Sequence, residues 1–237
     1  DVTTAEASLT LRYAPGESFV NSKQRRIPVS LDAPIFTLTH AMGFKGVLGG
    51  EYSFNRTEAS VWKRFWLPSS WGKIDCSIKA GAEWNTVPFP LLILPEANLS
   101  YITQRETFNL INNMEFLNDR FASVSLSYDM NGKLFNRIPL IKNLKWREMF
   151  RVRALWGTLT DKNNPFKSSN PDLFRFPMRD GKFTSFVMDP KIPYVEASVG
   201  IYNIFKLLHI EYVHRFTYRD NPGINKNGVR FMVLMAF

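Results

Sequence analysis

Cysteine and long apolar runs are both scarce in this chain. A single cysteine, Cys76, stands among 237 residues, which excludes an intramolecular disulfide framework and a zinc site built from several cysteines. No apolar stretch approaches the roughly 18 residues that a membrane-spanning helix needs. The longest, residues 88–95, is short and is bracketed by prolines. A disulfide-stabilised miniprotein and a helical membrane protein are therefore both excluded.

Aromatic and basic residues are what the chain has in excess. Its 20 Phe, 8 Tyr and 6 Trp make up 14% of the residues, and 30 Lys and Arg against 21 Asp and Glu leave a net charge of +9. The basic residues are spread over the whole chain instead of forming one stripe, which argues against a nucleic-acid partner. With 45% apolar residues, the composition is that of a folded protein.

Alternation of apolar and polar residues recurs along the chain and predicts an all-β protein. It is most regular over residues 73–85, where Ile74, Cys76 and Ile78 alternate with polar residues and glycine. No stretch of comparable length has the 3.6-residue period of a helix. We predict ten strands, at residues 2–13, 34–42, 51–66, 72–85, 105–118, 119–131, 145–159, 192–203, 207–219 and 228–237.

Strand length and aromatic placement favour a transmembrane barrel. Several predicted strands have 12 residues or more, whereas strands of soluble sheets cluster at roughly 5–6. Aromatic residues crowd the strand ends, where the interfacial girdles of an outer-membrane barrel lie. The alternative is a soluble ligand-binding β-barrel whose apolar face is its core. We expect one antiparallel transmembrane β-barrel domain over residues 1–237, in a bacterial outer membrane, with its polar face lining the lumen.

The last residues of the chain form a candidate assembly signal. Phe231, Val233, Met235 and Phe237 share one face of the final strand, which ends on an aromatic residue. A terminal aromatic strand is typical of bacterial outer-membrane barrels. We therefore expect the barrel assembly machinery as a partner. Outer-membrane lipid and lipopolysaccharide are also expected, because the net charge of +9 and the basic loop at residues 160–191 suit the phosphates of lipopolysaccharide. Other outer-membrane proteins are expected in addition if the barrel belongs to a complex.

Charged residues on the predicted lumen face are the candidate functional site. They are Glu83, Glu115, Arg151, Arg153, Glu196, Glu211 and Arg215. Two interpretations stay open: an anion-attracting channel lining, or an Arg–Glu network that neutralises itself and holds a narrow barrel closed. Because charges of both signs occur on neighbouring strands, we favour pairing and a closed pore.

The residues give little support to catalysis, cofactor binding or metal binding. His209 and Glu211 share one predicted face, which is the only motive for the alternative of an outer-membrane hydrolase. His214 has the opposite parity and His40 is remote in sequence, so the three histidines do not predict a metal cluster. We expect a non-enzymatic protein without cofactor or metal, acting in envelope transport or assembly, or as a subunit of an outer-membrane complex.

Counting connections back from a periplasmic C terminus assigns each of them to one side of the membrane. Residues 160–191 and 220–227 become external, and residues 132–144 and 203–206 become periplasmic. Residues 86–104 also fall on the periplasmic side. Their apolar stretch is expected to pack against the barrel bottom, to enter the lumen or to contact a partner.

Four stretches of the chain, at residues 40–54, 108–148, 155–165 and 193–218, resemble one known family. It is a Bacteroidetes-type family of outer-membrane proteins of unknown function, in which a carboxypeptidase-regulatory-like domain precedes a C-terminal barrel. The resemblance implies an outer-membrane barrel without a settled biochemical role. It also implies further strands ahead of residue 1, whereas ten strands could otherwise close alone.

A second resemblance is confined to the end of the chain. Residues 200–216 are similar to the surface-antigen, BamA-like barrels in their strand–turn–strand pattern. The loop at residues 174–183 contains Arg-Asp-Gly, where those barrels have an Arg-Gly-aromatic tip. The resemblance therefore does not extend to an insertase activity.

Overall fold

A computed structural model describes residues 2–104, 106–167 and 173–233. Within these ranges nine strands of 7 to 13 residues form one antiparallel sheet, and four short strands form two separate hairpins. In chain order the strands are β1 (Glu6–Tyr13), β2 (Phe19–Asn21), β3 (Arg26–Pro28), β4 (Ile35–Gly43), β5 (Phe54–Trp66), β6 (Lys73–Glu83), β7 (Arg120–Asp129), β8 (Arg147–Thr158), β9 (Met178–Arg179), β10 (Lys182–Phe183), β11 (Tyr194–Ile204), β12 (Leu208–Arg215) and β13 (Asn227–Val233).

The large sheet is a meander. Its strand order is β1-β4-β5-β6-β7-β8-β11-β12-β13, and each strand is antiparallel to its neighbours. One α-helix, α1 (Pro139–Leu144), and 3-10 turns at Phe89–Leu91, Phe135–Arg137 and Asp161–Asn163 lie in the connections. None of the helices described is long and apolar enough to cross a membrane.

The prediction of an antiparallel all-β fold is confirmed, with nine strands in the sheet where ten were expected. The predicted strand at residues 105–118 is wrong. The described part of this stretch, residues 106–118, makes only isolated bridges, such as Phe116 to Phe186. It contains four asparagines, at 109, 112, 113 and 118, and asparagine is disfavoured in strands because its side chain competes for main-chain hydrogen bonds.

Among the described strands the sheet does not close into a barrel. β1 pairs with β4 alone, and β13 pairs with β12 alone, so the sheet has two edges. The edge of β13 is partly covered, because Thr103 N donates to Phe231 O at 2.8 Å and Phe231 N donates to Tyr101 O at 2.9 Å. The strands within residues 2–233 that the structure describes therefore do not close the sheet by themselves.

Because the tenth predicted strand is absent from the residues that the structure describes, residues 86–104 lie at the opposite end of the sheet from the one expected. Residues 14–34, 67–72, 130–146 and 205–207 connect strands at one end of the sheet, called here the lower end. The other connections lie at the opposite, upper end: residues 44–53, 84–119, 159–193 and 216–226. Residues 86–104 were expected on the side of residues 132–144. They instead leave the sheet at the same end as residues 160–191, because no strand separates them from β7.

Residues 84–119, the inserted segment, pack against one face of the sheet. This inner face carries Arg153 and Glu196, and the opposite one is the outer face. Val87, Phe116 and Leu117 of the inserted segment are completely buried. They belong to two apolar clusters that also include residues of the upper-end connection 159–193. Burial of each such side chain stabilises the fold by about 1.5–3 kcal/mol. Apolar contacts therefore help to hold the inserted segment on the sheet.

The outer face is apolar and exposed from one edge of the sheet to the other. One large side chain from each of eight strands is 41–57% exposed: Leu11, Leu38, Ile78, Leu126, Val152, Val199, Tyr212 and Val229. The inner face instead buries Arg153, Glu196, Glu211 and Arg215. This distribution is the reverse of a soluble sheet, which buries its apolar face and leaves its charged face in water.

Gly157 permits the close packing of the inserted segment on β8. A Cβ atom at this inner-face position would overlap the side-chain amide of Asn118. We expect Gly157→Val to lower the free energy of unfolding in detergent by about 1–3 kcal/mol, because the segment must move away from the sheet. Ala154→Val, on the outer face of the same strand, should change it by less than about 0.5 kcal/mol. Equal losses in the two variants would contradict the packing.

Candidate functional site

The inner face of β8, β11 and β12 carries a belt of charges of both signs. The register sets Glu196 of β11 between Arg153 of β8 and Arg215 of β12. Two residues further along β8 and β11, Arg151 lies opposite Ser198. Because inner-face residues recur at every second position of a strand, this register brings opposite charges side by side.

The most buried ion pair joins the sheet to the inserted segment. Arg215 donates two parallel hydrogen bonds to the Glu115 carboxylate, from Nη2 at 2.6 Å and from Nη1 at 3.0 Å. The two side chains are 0% and 1% exposed. Arg215 also donates to the main-chain oxygens of Leu110, Thr217 and Tyr218. All the N–H groups of the guanidinium therefore have acceptors, which a buried charge requires.

Glu196 attaches the inserted segment by a second route. Its carboxylate accepts hydrogen bonds from the main-chain N–H groups of Asn109, at 2.9 Å, and Leu110, at 3.1 Å. It also accepts from the Tyr194 hydroxyl at 2.9 Å and from Arg153 Nη1 at 3.1 Å. Buried N–H groups outside regular structure need such an acceptor. Glu196 therefore replaces a strand partner for Asn109 and Leu110.

Arg151 and Glu211 form a third buried pair, which stays within the sheet. Arg151 Nη1 lies 2.8 Å from both carboxylate oxygens of Glu211. Glu211 also accepts a hydrogen bond from the Ser198 hydroxyl and lies 3.4 Å from His209 Nε2. Glu211 thus stands between the serine and the histidine, whereas a serine nucleophile needs the imidazole next to its hydroxyl. This order does not fit the hydrolase alternative.

Glu83 lies apart from the belt, near the upper end of β6. It accepts main-chain hydrogen bonds from Asn55 and Asn85, each at 3.3 Å, and its carboxylate is 3.5 Å from Arg56 Nε. Arg56 donates in turn to the main-chain oxygen of Leu91 in the inserted segment at 2.5 Å. The structure therefore brings six of the seven candidate residues to one region and places Glu83 at a separate attachment point.

Two residues that sequence reasoning missed join the upper-end connections. Asp119 Oδ2 accepts hydrogen bonds from Thr160 N at 3.1 Å and from Asn163 Nδ2 at 2.9 Å. Asn163 Oδ1 accepts from Val87 N at 2.8 Å. The available signal was the density of Asn and Asp in these connections, which favours side-chain-to-main-chain bonding over strand pairing.

Tyr218 connects the end of the belt to residues 189–192. Its hydroxyl donates to Ile192 O at 2.6 Å and accepts from Asp189 N at 3.0 Å. Its ring packs edge-on against Phe116 of the inserted segment, with centroids 5.1 Å apart. Partial burial raises the pKa of the Tyr218 phenol, which keeps the hydroxyl a donor.

A small cavity remains between the inserted segment and β5 to β8. Its volume is about 70 Å³, which gives room for about two water molecules. Lys79 on its wall binds two carboxylates of the inserted segment, Glu96 at 3.0 Å and Glu106 at 2.8 Å. The lysine thereby provides another link between sheet and segment.

The three histidines lie in three different places. His209 is buried on the inner face beside Glu211, His40 Nδ1 is 2.9 Å from the Thr57 hydroxyl, and His214 Nδ1 is 2.5 Å from Asn227 Oδ1. No group of three His, Cys, Asp or Glu side chains in the described ranges is arranged to hold a metal ion.

The candidate assembly signal is described only in part. Phe231 and Val233 lie on the outer face of β13 and are 43% and 59% exposed. Met235 and Phe237 lie outside the described residues.

The fold and the site define an open antiparallel sheet with an apolar outer face and a charged inner face that holds an inserted segment. Residues 2–166 match a family of unknown function (DUF5686), in its C-terminal domain. Because the match covers more than half of the chain, the protein belongs to this family. The matched range includes β1 to β8 and the inserted segment, and it ends before β11. A search of curated proteins gave no match.

The Arg215–Glu115 pair generates a double-mutant test. Glu115→Leu or Arg215→Met alone leaves a buried charge without its partner and should lower the free energy of unfolding by about 3–5 kcal/mol. The double variant should lose much less than the sum of the two losses. The measurement is urea unfolding in detergent, together with protease cleavage within residues 86–118.

Arg151→Met is the matched control, because its pair with Glu211 lies within the sheet. It should destabilise the protein without exposing the inserted segment to protease. If Arg151→Met and Arg215→Met opened the segment equally, the assignment of Arg215 as its attachment would be wrong.

Proposed function

We propose that this protein is a transmembrane β-barrel of the bacterial outer membrane, with a lumen closed by the inserted segment and with a non-enzymatic role. The observation that carries the proposal is the inverted polarity of the sheet. Exposed apolar side chains cover its outer face, and paired charges are buried on its inner face. Lipid is the solvent in which such an outer face is stable.

Strand dimensions support the same proposal. β6 has 11 residues, which extend for about 36 Å along the strand. A tilt of about 40° reduces this length to about 28 Å along the barrel axis, close to the apolar band of outer-membrane barrels. Phe65 and Trp84 lie on the outer face, near the lower and upper ends of this region, and both are exposed. They are suited to the aromatic girdles at the two interfaces of the bilayer.

Closure of the barrel requires strands in addition to the nine described. Open sheet edges are not stable in hydrocarbon, because their main-chain groups lack partners there. Bacterial barrels have even strand numbers, so an odd number of further strands would complete a sheet of nine. We propose that these strands precede β1 in the same polypeptide, and that this polypeptide is of the Bacteroidetes type, with a carboxypeptidase-regulatory-like domain ahead of the barrel. The description of the matched family as a C-terminal domain supports this.

The inserted segment favours a closed pore over an open channel. It is bound to the inner face through Glu115, Glu196, Lys79 and Arg56. The charges that would attract ions are already paired with one another or with this segment. Envelope transport or assembly, or a structural place within an outer-membrane complex, fits a closed barrel. Lipopolysaccharide and the barrel assembly machinery are the partners such a barrel would have.

A pair of neighbouring substitutions tests which face meets lipid. Ile78→Arg places a cation in the middle of the outer face of β6, where membrane insertion becomes less favourable by about 2–4 kcal/mol. Ser77→Arg places the same charge on the inner face, beside the small cavity. We expect Ile78→Arg to reduce the amount of folded, heat-modifiable protein in outer membranes severely, and Ser77→Arg to reduce it mildly. Equal reductions would show that the faces are wrongly assigned.

Conductance tests the closed pore. The protein in planar bilayers should give no large, stable conductance. A variant in which a glycine-serine linker replaces residues 88–116 should conduct, because its lumen is no longer filled. A large conductance of the unmodified protein would contradict the proposal. So would a folded deletion variant that remains closed.

A further inference from the structure

The lower end of the sheet presents apolar side chains that nothing in the described chain covers. In α1, Leu140 is 83% exposed and Leu144 is 49% exposed, and Phe205 in the turn between β11 and β12 is 81% exposed. Leu140 and Leu144 are four residues apart and therefore lie on one side of the helix. Asn203 Nδ2 donates to Lys145 O at 2.7 Å, which ties this turn to the end of α1.

Unpaired cations surround these apolar side chains. Arg137, Lys142 and Lys145 are exposed, and no ion pair or side-chain hydrogen bond of theirs occurs among the described residues. The two acidic residues of this region have other partners. Glu148 is buried and accepts from Leu134 N at 2.6 Å, and Asp129 accepts from the Tyr202 hydroxyl at 2.5 Å. The positive charge is therefore not neutralised within the described structure.

Lys133, in the same connection, differs from these three cations because its ammonium group has partners within the protein. Its ammonium donates to Ser69 O at 2.8 Å and lies 5.0 Å from the centre of the Trp71 ring. It thus connects two lower-end turns. Among the residues that the structure describes, no comparable contact is made by Arg137, Lys142 or Lys145.

We propose that Arg137, Leu140, Lys142, Leu144, Lys145 and Phe205, the lower-end patch, bind the headgroups of anionic phospholipids. The leucines and Phe205 enter the boundary between headgroups and acyl chains, as interfacial amphipathic segments do. The three cations bind the phosphodiester oxygens and the extra negative charge of an anionic headgroup. This inference rests on the proposed membrane barrel, because the patch continues the apolar outer face beyond β8 and β11.

Continuity with the outer face is what favours lipid over a protein partner. Phe150, near the beginning of β8, and Tyr128, its cross-strand partner on β7, lie on the outer face next to the connection that contains α1. A surface that is apolar on the membrane side and basic beyond it matches the layered chemistry of a leaflet.

The test places a fluorescent bimane on Asn143→Cys, an exposed position of α1, in a Cys76→Ala background. The protein is reconstituted in phosphatidylcholine vesicles that contain brominated phosphatidylglycerol or, in a parallel sample, brominated phosphatidylcholine. Half-maximal quenching should need about tenfold less brominated phosphatidylglycerol than brominated phosphatidylcholine. The preference should fall at high salt, since exposed charges are screened there.

Two triple variants locate the effect. Arg137→Gln/Lys142→Gln/Lys145→Gln should abolish the preference for phosphatidylglycerol. Arg175→Gln/Arg179→Gln/Lys182→Gln, which removes the same charge from the upper end, should retain it. Heat modifiability confirms that each variant is folded.

The outcomes separate this inference from the proposed function. Equal quenching by the two lipids, or no quenching in a protein that floats with the vesicles, would overturn the lipid site while leaving the barrel intact. The second result would indicate that a protein partner or water covers the patch. Failure of the unmodified protein to float with vesicles would contradict the barrel itself and the lipid site with it.

Discussion

The attachment of the inserted segment to the charged inner face is the interaction on which the rest of the structure depends. Arg215 and Glu115 are both withdrawn from water. Their buried pair is stable because every guanidinium donor has an acceptor. Glu196 holds two main-chain N–H groups of the same segment. Without the segment these charges would face an empty interior. Without Glu196, the main-chain N–H groups of Asn109 and Leu110 would lose their acceptor.

The charged residues on the inner face also determine which residues lie on the outer face. A period of two sends every residue to one face or the other, so a strand that presents Arg151 and Arg153 inward must present Phe150 and Val152 outward. Because charged and amide side chains occupy the inner face, the apolar side chains of the same strands lie on the outer face. The apolar clusters lie where the inserted segment and residues 159–193 meet the upper part of the sheet, and Phe54, Leu155 and Tyr194 of the strands contribute to them.

Most of the sheet could be predicted from the sequence, because alternation specifies a strand wherever it persists. It persists in β6, β7 and β8, and these strands form close to the expected positions. It is absent from residues 108–119, where polar residues such as Asn109, Asn112 and Glu115 occur at both parities. The strand predicted at residues 105–118 rested on a weaker alternation and neglected the asparagines. The pairing of Glu115 with Arg215 depends on how a segment without regular structure folds over the sheet. Periodicity contains no information on that path, nor on the roles of Asp119 and Asn163.

Probe accessibility along β8 tests directly whether the outer face of the sheet meets lipid and whether its inner face is covered. Single spin labels at positions 150 to 156 of the membrane-inserted protein, with Cys76 replaced by alanine, report collision with oxygen dissolved in lipid and with a water-soluble nickel complex. We expect the accessibility of the labels to repeat with a period of two residues. Positions 150, 152, 154 and 156 should be accessible to oxygen. Positions 151, 153 and 155 should be protected from both reagents, because all three are buried and the inserted segment covers 153 and 155. Inner positions open to the nickel complex would contradict the filled interior, and outer positions open to it would contradict the lipid-facing sheet.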